Sequence, residues 1–349
     1  MVDRIIVGVI SCSIMAQRHM KAVMDNKNAE LRWICDVDEE LLKETAENLG
    51  IERYTTNYKQ ILEDSEVDAV IIVTPDQTHK QIVLDAAAAG KHILCEKPLA
   101  LTIADCREMV EASEKSDVKM MVGQICRYTP GFRLAKELID RGEIGELFFV
   151  ESEYAHDYSS LTDLSPWRLD PLRHGFVGGG CHAVDLVRWI AGDPEEVMAY
   201  SNHKMLPDWP TDDCTIAIMK FPGNVIGKVF CSTGCKRNYT MRSVFYGSKG
   251  TIITDNTSPE MTVFKEGFGN GESIIKDLPQ TCTIPVKYPI DISNHNASGE
   301  FEEFADCILN DKPVKTSIYE GAKTIISSLA VIESARTGRP VKPNYEMKD

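Results

Sequence analysis

The sequence predicts an α/β protein in two parts, a doubly wound parallel sheet over residues 1–125 and an α+β part over residues 126–349. The second part is built on one large, mostly antiparallel open sheet with helices on one face. Three observations carry this. A chain of 349 residues has the length of about two ordinary domains, each able to bury a core. Up to about residue 125, short continuous apolar runs alternate with stretches of helical spacing, the pattern of parallel strands covered on both faces. After about residue 145 the runs lengthen and are joined by turns such as Phe221-Pro-Gly-Asn224 and Ser248-Lys-Gly250, as in an antiparallel sheet.

In chain order, the apolar runs Ile5–Ile10, Leu31–Cys35, Ala69–Val73, His92–Cys95 and Lys119–Val122 read as parallel strands. Between them Glu39–Leu49, Gln81–Ala89 and Ile103–Ser113 have helical spacing, and right-handed crossovers then give the doubly wound arrangement. Leu147–Tyr154, Glu196–Ser201, Cys214–Phe221, Val225–Ser232, Arg242–Tyr246 and Thr251–Thr254 read as strands of the second sheet. Helices are expected at about Cys181–Ala191, Asn296–Leu309 and Tyr319–Thr337, the last of them packing back on the first part. Consecutive apolar positions such as Val225-Ile226 and Val229-Phe230 suggest that both sheet faces are covered, one by helices and one by another subunit. A homodimer or homotetramer formed through that sheet is the expectation.

Composition excludes several classes of function. The formal net charge of −15 would repel a nucleic-acid backbone or an anionic membrane. The longest run built only from Ala, Val and Ile, Ala69–Val73, is far too short to cross a bilayer, and a strand beginning at Arg4 leaves no room for a signal peptide. A soluble cytoplasmic protein is expected. The eleven cysteines then read as small hydrophobes in a reducing compartment, with Cys12 and Cys181 set aside for their positions. Cys231 and Cys235 lack a second pair at zinc-site spacing, and no metal is expected.

The first strand runs into Ser11-Cys12-Ser13-Ile14-Met15-Ala16 and then a helix, where backbone N–H groups of a dinucleotide fingerprint meet a pyrophosphate. Two of the fingerprint glycines are Ser11 and Ser13 here, with Ala16 third. Asp36 ends the second strand, 20 residues beyond Ala16, where an acid accepts hydrogen bonds from the adenosine ribose. A carboxylate there repels the extra phosphate of NADP, and Val37 supplies no Arg to hold it, so NAD is favoured over NADP. A Rossmann-like scaffold with an empty turn is the alternative.

Further segments carry a family resemblance. Thr74-Pro75-Asp-Gln-Thr-His79, Cys95-Glu96-Lys97-Pro98-Leu99, Val122-Gly-Gln124-Ile-Cys-Arg127-Tyr128, Ile144-Gly145-Glu-Leu and the tail from Glu300-Phe-Glu-Glu-Phe304 to Gly338 resemble the Gfo/Idh/MocA oxidoreductases in order and spacing. The resemblance implies nicotinamide-dependent oxidation of a secondary alcohol on a sugar, glycoside or cyclic polyol. Hydride leaves carbon for the nicotinamide while a base takes the hydroxyl proton. Lys97, at a strand C-terminal end and near the nicotinamide's positive charge, is the candidate for that proton work. Thr74, Pro75, His79, Glu96, Lys97 and Gln124 are expected to line the cofactor, together with the 11–15 turn, Asp36 and Val37.

The second half of the site is expected in Gly178-Gly-Gly-Cys-His182-Ala-Val-Asp185-Leu-Val-Arg-Trp. His182 matches the family histidine and is the candidate general acid or base, since an unperturbed imidazole changes charge near neutral pH. Asp185, one helical turn on, would hold a substrate hydroxyl or orient His182. The family's catalytic Asp falls on Gly178, leaving Lys97 and His182 as the proton pair. Tyr154-Ala-His156-Asp157-Tyr158 is the candidate replacement, against the plainer reading of a polar strand end facing water. The glycines at 178–180 would leave space for a substrate bulkier than a free monosaccharide. Trp167-Arg168 resembles a family dipeptide that reaches the cofactor, and Arg127 is placed near substrate or nicotinamide, with domain packing as the alternative for both. Three functions stay open: an NAD-dependent dehydrogenase of a ring hydroxyl, C3 being the guess; a redox-neutral NAD-dependent glycosidase of the same family; and a non-catalytic sugar or dinucleotide sensor or partner subunit.

Overall fold

A computed structural model describes residues 4–159, 166–265, 285–292 and 295–347. It divides into two compact units, Met1–Ile125 with Asn296–Ile325 and Tyr345–Asp349, and Cys126–His295 with Ile326–Asn344. Residues 126–349 are therefore not one continuous part, because segments near the C-terminus return to the first unit.

The first unit is a six-stranded sheet in the order β3-β2-β1-β4-β5-β6, every neighbour pair parallel. Its elements are β1 (Ile5–Ile10), α1 (Ile14–Asp25), β2 (Ala29–Cys35), α2 (Glu39–Leu49), β3 (Arg53–Thr55), α3 (Lys59–Glu63), β4 (Ala69–Ile72), α4 (His79–Ala88), β5 (His92–Cys95), α5 (Ile103–Lys115) and β6 (Met120–Val122). The central strands are Ile- and Val-rich, and Ala69–Ile72 is buried at all four positions, as a strand covered on both faces must be. The helices start where their sequences provide caps. Ser13 caps α1, Asp38 accepts from Glu40 and Leu41 at the start of α2, and Thr102 accepts from Asp105 in α5. The strand order reverses between β1 and β4, and the loops leaving that switch point are where ligands bind in such sheets. β3 and α3 escaped the sequence reading because three and five residues are too few to establish a period.

The second unit begins with α6 (Pro130–Asp140) and holds an eight-stranded sheet in the order β14-β13-β12-β11-β7-β10-β9-β8. Its strands are β7 (Leu147–Ala155), β8 (Glu196–Asn202), β9 (Cys214–Phe221), β10 (Val225–Ser232), β11 (Thr240–Gly247), β12 (Gly250–Asp255), β13 (Glu260–Lys265) and β14 (Pro285–Pro289). Only the β7–β10 pair is parallel. A four-residue turn, α7 (Gly175–Gly178), leads into α8 (Cys181–Ala191), which packs on β7 and β10. α9 (Ala297–Leu309) returns to the first unit, where it lies against α1 and β1, and α10 (Ile318–Thr337) contributes residues to both units. Just before α10, the Thr316 carbonyl accepts the N–H of Val122 at 2.7 Å.

Ten of the eleven cysteines lie in the described residues and all ten are free thiols, most of them buried; Cys282 lies outside the described residues. Among the described residues no helix is long and apolar enough to cross a membrane.

Candidate active site

The turn after β1 takes the conformation its position calls for, at a cost. Ser11 has φ 120°, a region that favours glycine, so the serine is strained where the fingerprint glycine would sit. Its hydroxyl oxygen offsets part of this by accepting the N–H of Ser13 at 3.1 Å, and the Ser13 hydroxyl in turn accepts the N–H of Ala16 at 3.4 Å. Asp36 ties the turn to β2: Oδ2 accepts the N–H of Cys12 at 2.6 Å and Oδ1 that of Asp38 at 3.0 Å. Beside it, Ile14 and Val37 are 80% and 88% exposed, two apolar side chains presented next to a carboxylate at a helix N-terminus. These residues fit a dinucleotide. Strain of about 1–3 kcal/mol outweighs one net hydrogen bond of about 1 kcal/mol. Ser11→Gly is therefore expected to raise the denaturant midpoint of unfolding and to release the Ser13 N–H for a phosphate, tightening NAD. A lower midpoint would refute the strain argument.

The loops after β4 and β5 are locked together by His79. It is 0% exposed, with Nδ1 3.0 Å from the Pro98 carbonyl and Nε2 2.9 Å from that of Thr74. Two acceptors require two N–H donors, hence an imidazolium. Burial opposes that charge, but the Cys95 and Asp76 side chains and the Thr74 carbonyl outweigh it and raise His79 to about 10. His79 is thus a strut under the loops, both ring nitrogens turned to the protein's own carbonyls. Glu96 and Gln124, expected with it to line the cofactor, likewise engage the protein. Glu96 is buried, engaged by His19 and by the N–H of Lys97; Gln124 is 2% exposed and donates to the Thr324 hydroxyl at 3.3 Å. Lys97 remains half-buried at the end of β5, beside half-buried Thr74 and Pro75 at the end of β4.

In the second unit, His182 sits in the first turn of α8 with Nδ1 3.1 Å from the thiol sulfur of Cys126. Around it stands an aromatic and imidazole cluster. The Tyr154 ring stacks on His182 at 5.9 Å, and its hydroxyl meets that of Tyr158 at 2.8 Å and His156 Nδ1 at 3.2 Å. Tyr239 closes the group, 5.0 Å from the His156 ring and stacked on His295 at 5.7 Å. Burial and the neighbouring Tyr158 and Tyr239 push the Tyr154 phenol well above its ordinary range, so it stays a neutral donor and acceptor. Trp167 lies between two guanidinium groups, Arg168 at 4.5 Å and Arg173 at 4.8 Å, with Arg168 also 5.9 Å from the Tyr158 ring.

Several expected site residues have other work. Asp185 is 0% exposed and accepts two hydrogen bonds from Arg127, at 2.8 and 2.7 Å, with Arg188 at 3.8 Å. Asp185 and Arg127, expected to contact substrate, thus form a buried ion pair with each other. Asp157 is engaged locally: it closes a turn at Ser159 and pairs with Lys236, which hold it at about 2, while His156, the residue before it, belongs to the cluster. The space beside the glycines at 178–180 is filled by the protein itself. A Cβ at Gly178 would lie 2.3 Å from the Arg173 guanidinium, at Gly179 2.4 Å from the Tyr154 ring and at Gly180 2.7 Å from the Phe176 carbonyl. The buried Arg173 guanidinium fills the space beside Gly178. Cys126, Tyr239, His295 and Arg173 were not read from the sequence, because nothing in their local spacing marks them; only folding brings them to His182 or Gly178.

Comparisons with known proteins agree with this architecture. Residues 5–124 match the Gfo/Idh/MocA model described as an oxidoreductase family with an NAD-binding Rossmann fold, and residues 132–253 match the C-terminal domain of the same family. Myo-inositol 2-dehydrogenase of Thermotoga maritima is 30% identical over 76% of this chain and 79% of its own. D-apiose dehydrogenase of Paraburkholderia graminis is 30% identical over 96% of this chain and 88% of its own. A solved levoglucosan dehydrogenase in complex with NADH superposes with a TM-score of 0.87 over 98% of this chain and 99% of its own, at 23% identity, a likeness of fold. With a dinucleotide turn at the switch point, a Glu-Lys-Pro loop after β5 and the family's C-terminal sheet, the chain belongs to the Gfo/Idh/MocA oxidoreductases.

Proposed function

We propose that this chain is an NAD-dependent dehydrogenase that oxidises, or in the reverse direction forms, a secondary ring hydroxyl, C3 being the position proposed, of a sugar, glycoside or cyclic polyol. The observation that carries the reading is the cluster around His182. Stacked and edge-on rings of Tyr154, Tyr158, Tyr239, His156 and His295 suit the apolar C–H faces of a ring polyol, and their hydroxyls and nitrogens suit its hydroxyl edge. The relatives named above act, by their names, on inositol, D-apiose and levoglucosan, all polyhydroxylated. Bound NAD supplies the hydride acceptor. Asp36 would hold the adenosine ribose and disfavour a 2′-phosphate, while Ile14 and Val37 would cover the adenine. Lys97 takes the proton of the reacting hydroxyl, and His182, with Nδ1 fixed by Cys126, exchanges a proton through Nε2. Trp167 and Arg168 are cofactor-binding residues in this reading, on the strength of the family resemblance alone.

The experiment is to incubate the purified protein with NAD and, separately, NADP against inositols, free sugars and aryl glycosides, following reduced cofactor and freed aglycone together. Reduced NAD without aglycone, with NADP inert, is the expected result. Freed aglycone without net reduction would replace the dehydrogenase by the redox-neutral glycosidase, and neither signal would favour the sensor.

The second sheet also bears on assembly. Tyr200, Ile216, Ile218 and Ile226, 68%, 42%, 60% and 46% exposed, lie on neighbouring strands, and register puts them on one face with Lys220 and Lys228. A second copy of the chain covers this face in the proposed assembly, and sedimentation is expected to read a multiple of 39.0 kDa. A single-chain mass at micromolar concentration would refute it.

A further inference from the structure

Glu300 is out of place chemically. α9 buries Ala297, Phe301, Phe304 and Ala305, and Glu300 lies on that same stripe, 0% exposed, with neither carboxyl oxygen meeting a hydrogen-bond partner. Two side chains from distant parts of the sequence face it: His19 of α1, also 0% exposed, and Glu96 after β5. His19 Nε2 is 2.9 Å from Glu96 Oε1, and Glu96 Oε2 accepts the Lys97 N–H at 3.0 Å. One polar atom from each of the three side chains lies within 4.8 Å of the others. The remaining charged groups that bear on the cluster are Lys97 and, one turn along α9, Glu303; β1, which also packs on α9, carries no titratable residue.

Two buried carboxylates this close cannot both be ionised cheaply. Either a cation lies among them or one keeps a proton. Tetrahedral bonds of about 2.0–2.1 Å to nitrogen and oxygen would space the donor atoms about 3.3 Å apart, whereas His19 and Glu96 stand at the 2.9 Å of a direct hydrogen bond. The proton fits better, and the environments say where it goes. Glu96 is stabilised as the anion: burial works against it, but the hydrogen bond from His19 and the adjacent Lys97 hold it below its ordinary range. Glu300 has no such help, and burial together with Glu96 and Glu303 pushes its carboxyl well above the usual carboxylate range.

We propose that Glu300 is a buried neutral acid that leaves Glu96 as the one negative charge of this cluster and so positions Lys97. Glu300 touches no reactant and is a positioning residue; its kinetic part rests on the role of Lys97 proposed above. Its protonation does not, and is read separately.

With ¹³C-labelled glutamate, the Glu300 side-chain carboxyl resonance is identified by its loss in Glu300→Gln. It is expected at the position of a neutral acid at neutral pH; a carboxylate shift would overturn the proposal. Stability gives a second reading. A carboxyl whose folded pKa is raised contributes stability that is whole below its unfolded value of about 4.3 and is lost as pH rises through the folded value. Glu300→Gln, neutral throughout, should melt with the native protein near about pH 4 and several degrees above it near about pH 8. A variant that melts lower as pH rises would overturn the proposal, as would a stoichiometric divalent cation that the purified protein holds and Glu300→Gln loses. In the assay, Glu300→Ala is expected to lower kcat several-fold with little change in KM and to displace the pH profile, and Glu300→Gln to restore both. Flat kinetics in Glu300→Ala, with Glu300 neutral by resonance, would overturn the positioning role, whereas the Lys97 reading itself stands or falls on variants of Lys97.

Discussion

Lys97→Met is expected to lower kcat/KM by about a hundred- to ten-thousand-fold, the range that a positioned general acid or base supplies. The fold should survive, because the contact that anchors this position is made by the backbone: the Lys97 N–H donates to Glu96 Oε2 at 3.0 Å, and methionine keeps it. The aliphatic stem is also replaced by one of similar length, so a melting temperature close to native is part of the prediction. Lys97→Arg separates two explanations. If Lys97 contributes only positive charge, arginine restores most of the rate; if it exchanges a proton, arginine, which does not deprotonate in proteins, leaves the rate as low as methionine does. NAD binding by titration should change far less than kcat/KM in both variants. Activity in Lys97→Met within threefold of native would remove Lys97 from the chemistry.

Much of this fold was legible because its physics is local. A parallel strand covered on both faces has to be apolar at consecutive positions, so Ile5–Ile10, Ala69–Ile72 and His92–Cys95 announce themselves. Cys214–Phe221 and Val225–Ser232 are joined by a Pro-Gly-Asn turn and pair residue for residue from Phe221–Val225 to Cys214–Ser232. β13 and β14 went unread. Glu260–Lys265 and Pro285–Pro289 are six and five residues long, too short for the sequence alone to establish a strand, and the second of them is the sheet's edge.

The site was legible to a smaller degree, for a definable reason. Sequence motifs locate loops at strand ends, but they do not say which side chains turn inward. Asp36 and the 11–15 turn fell where the motif put them, whereas His79, Glu96, Gln124, Arg127 and Asp185 proved to be buried groups hydrogen-bonded within the protein. Glu300 did leave a signal. It is an acid on the apolar stripe of α9, and a charged residue in a buried period calls for a partner or a proton. Cys126 left none, since its relation to His182 spans 56 positions.

Arg127→Ala is expected to destabilise the second unit by about 3–5 kcal/mol, a large share of the ordinary stability of about 5–15 kcal/mol. Arg127 is 8% exposed and Asp185 0%, and two hydrogen bonds of 2.8 and 2.7 Å join them. Removing the guanidinium strands a carboxylate away from water, with Arg188 at 3.8 Å, beyond hydrogen-bond distance, as a weaker cationic neighbour. The large effect comes from that stranded charge and not from a large net value of the pair. Replacing both members by apolar residues, as in Arg127→Met with Asp185→Leu, should therefore recover most of the loss, and a double-mutant cycle in denaturant measures the coupling. The pair also bears on His182. Cys126 and Arg127 are consecutive, and their partners His182 and Asp185 are three apart on α8, so two adjacent links dock one chain segment along one face of the helix. Loosening the ion pair should loosen the Cys126–His182 contact with it. A structural Asp185 predicts that Asp185→Asn loses stability and activity together, with activity recovering at lower temperature. A substrate-binding Asp185 predicts the opposite, a raised KM at unchanged stability, and that result would return it to the site.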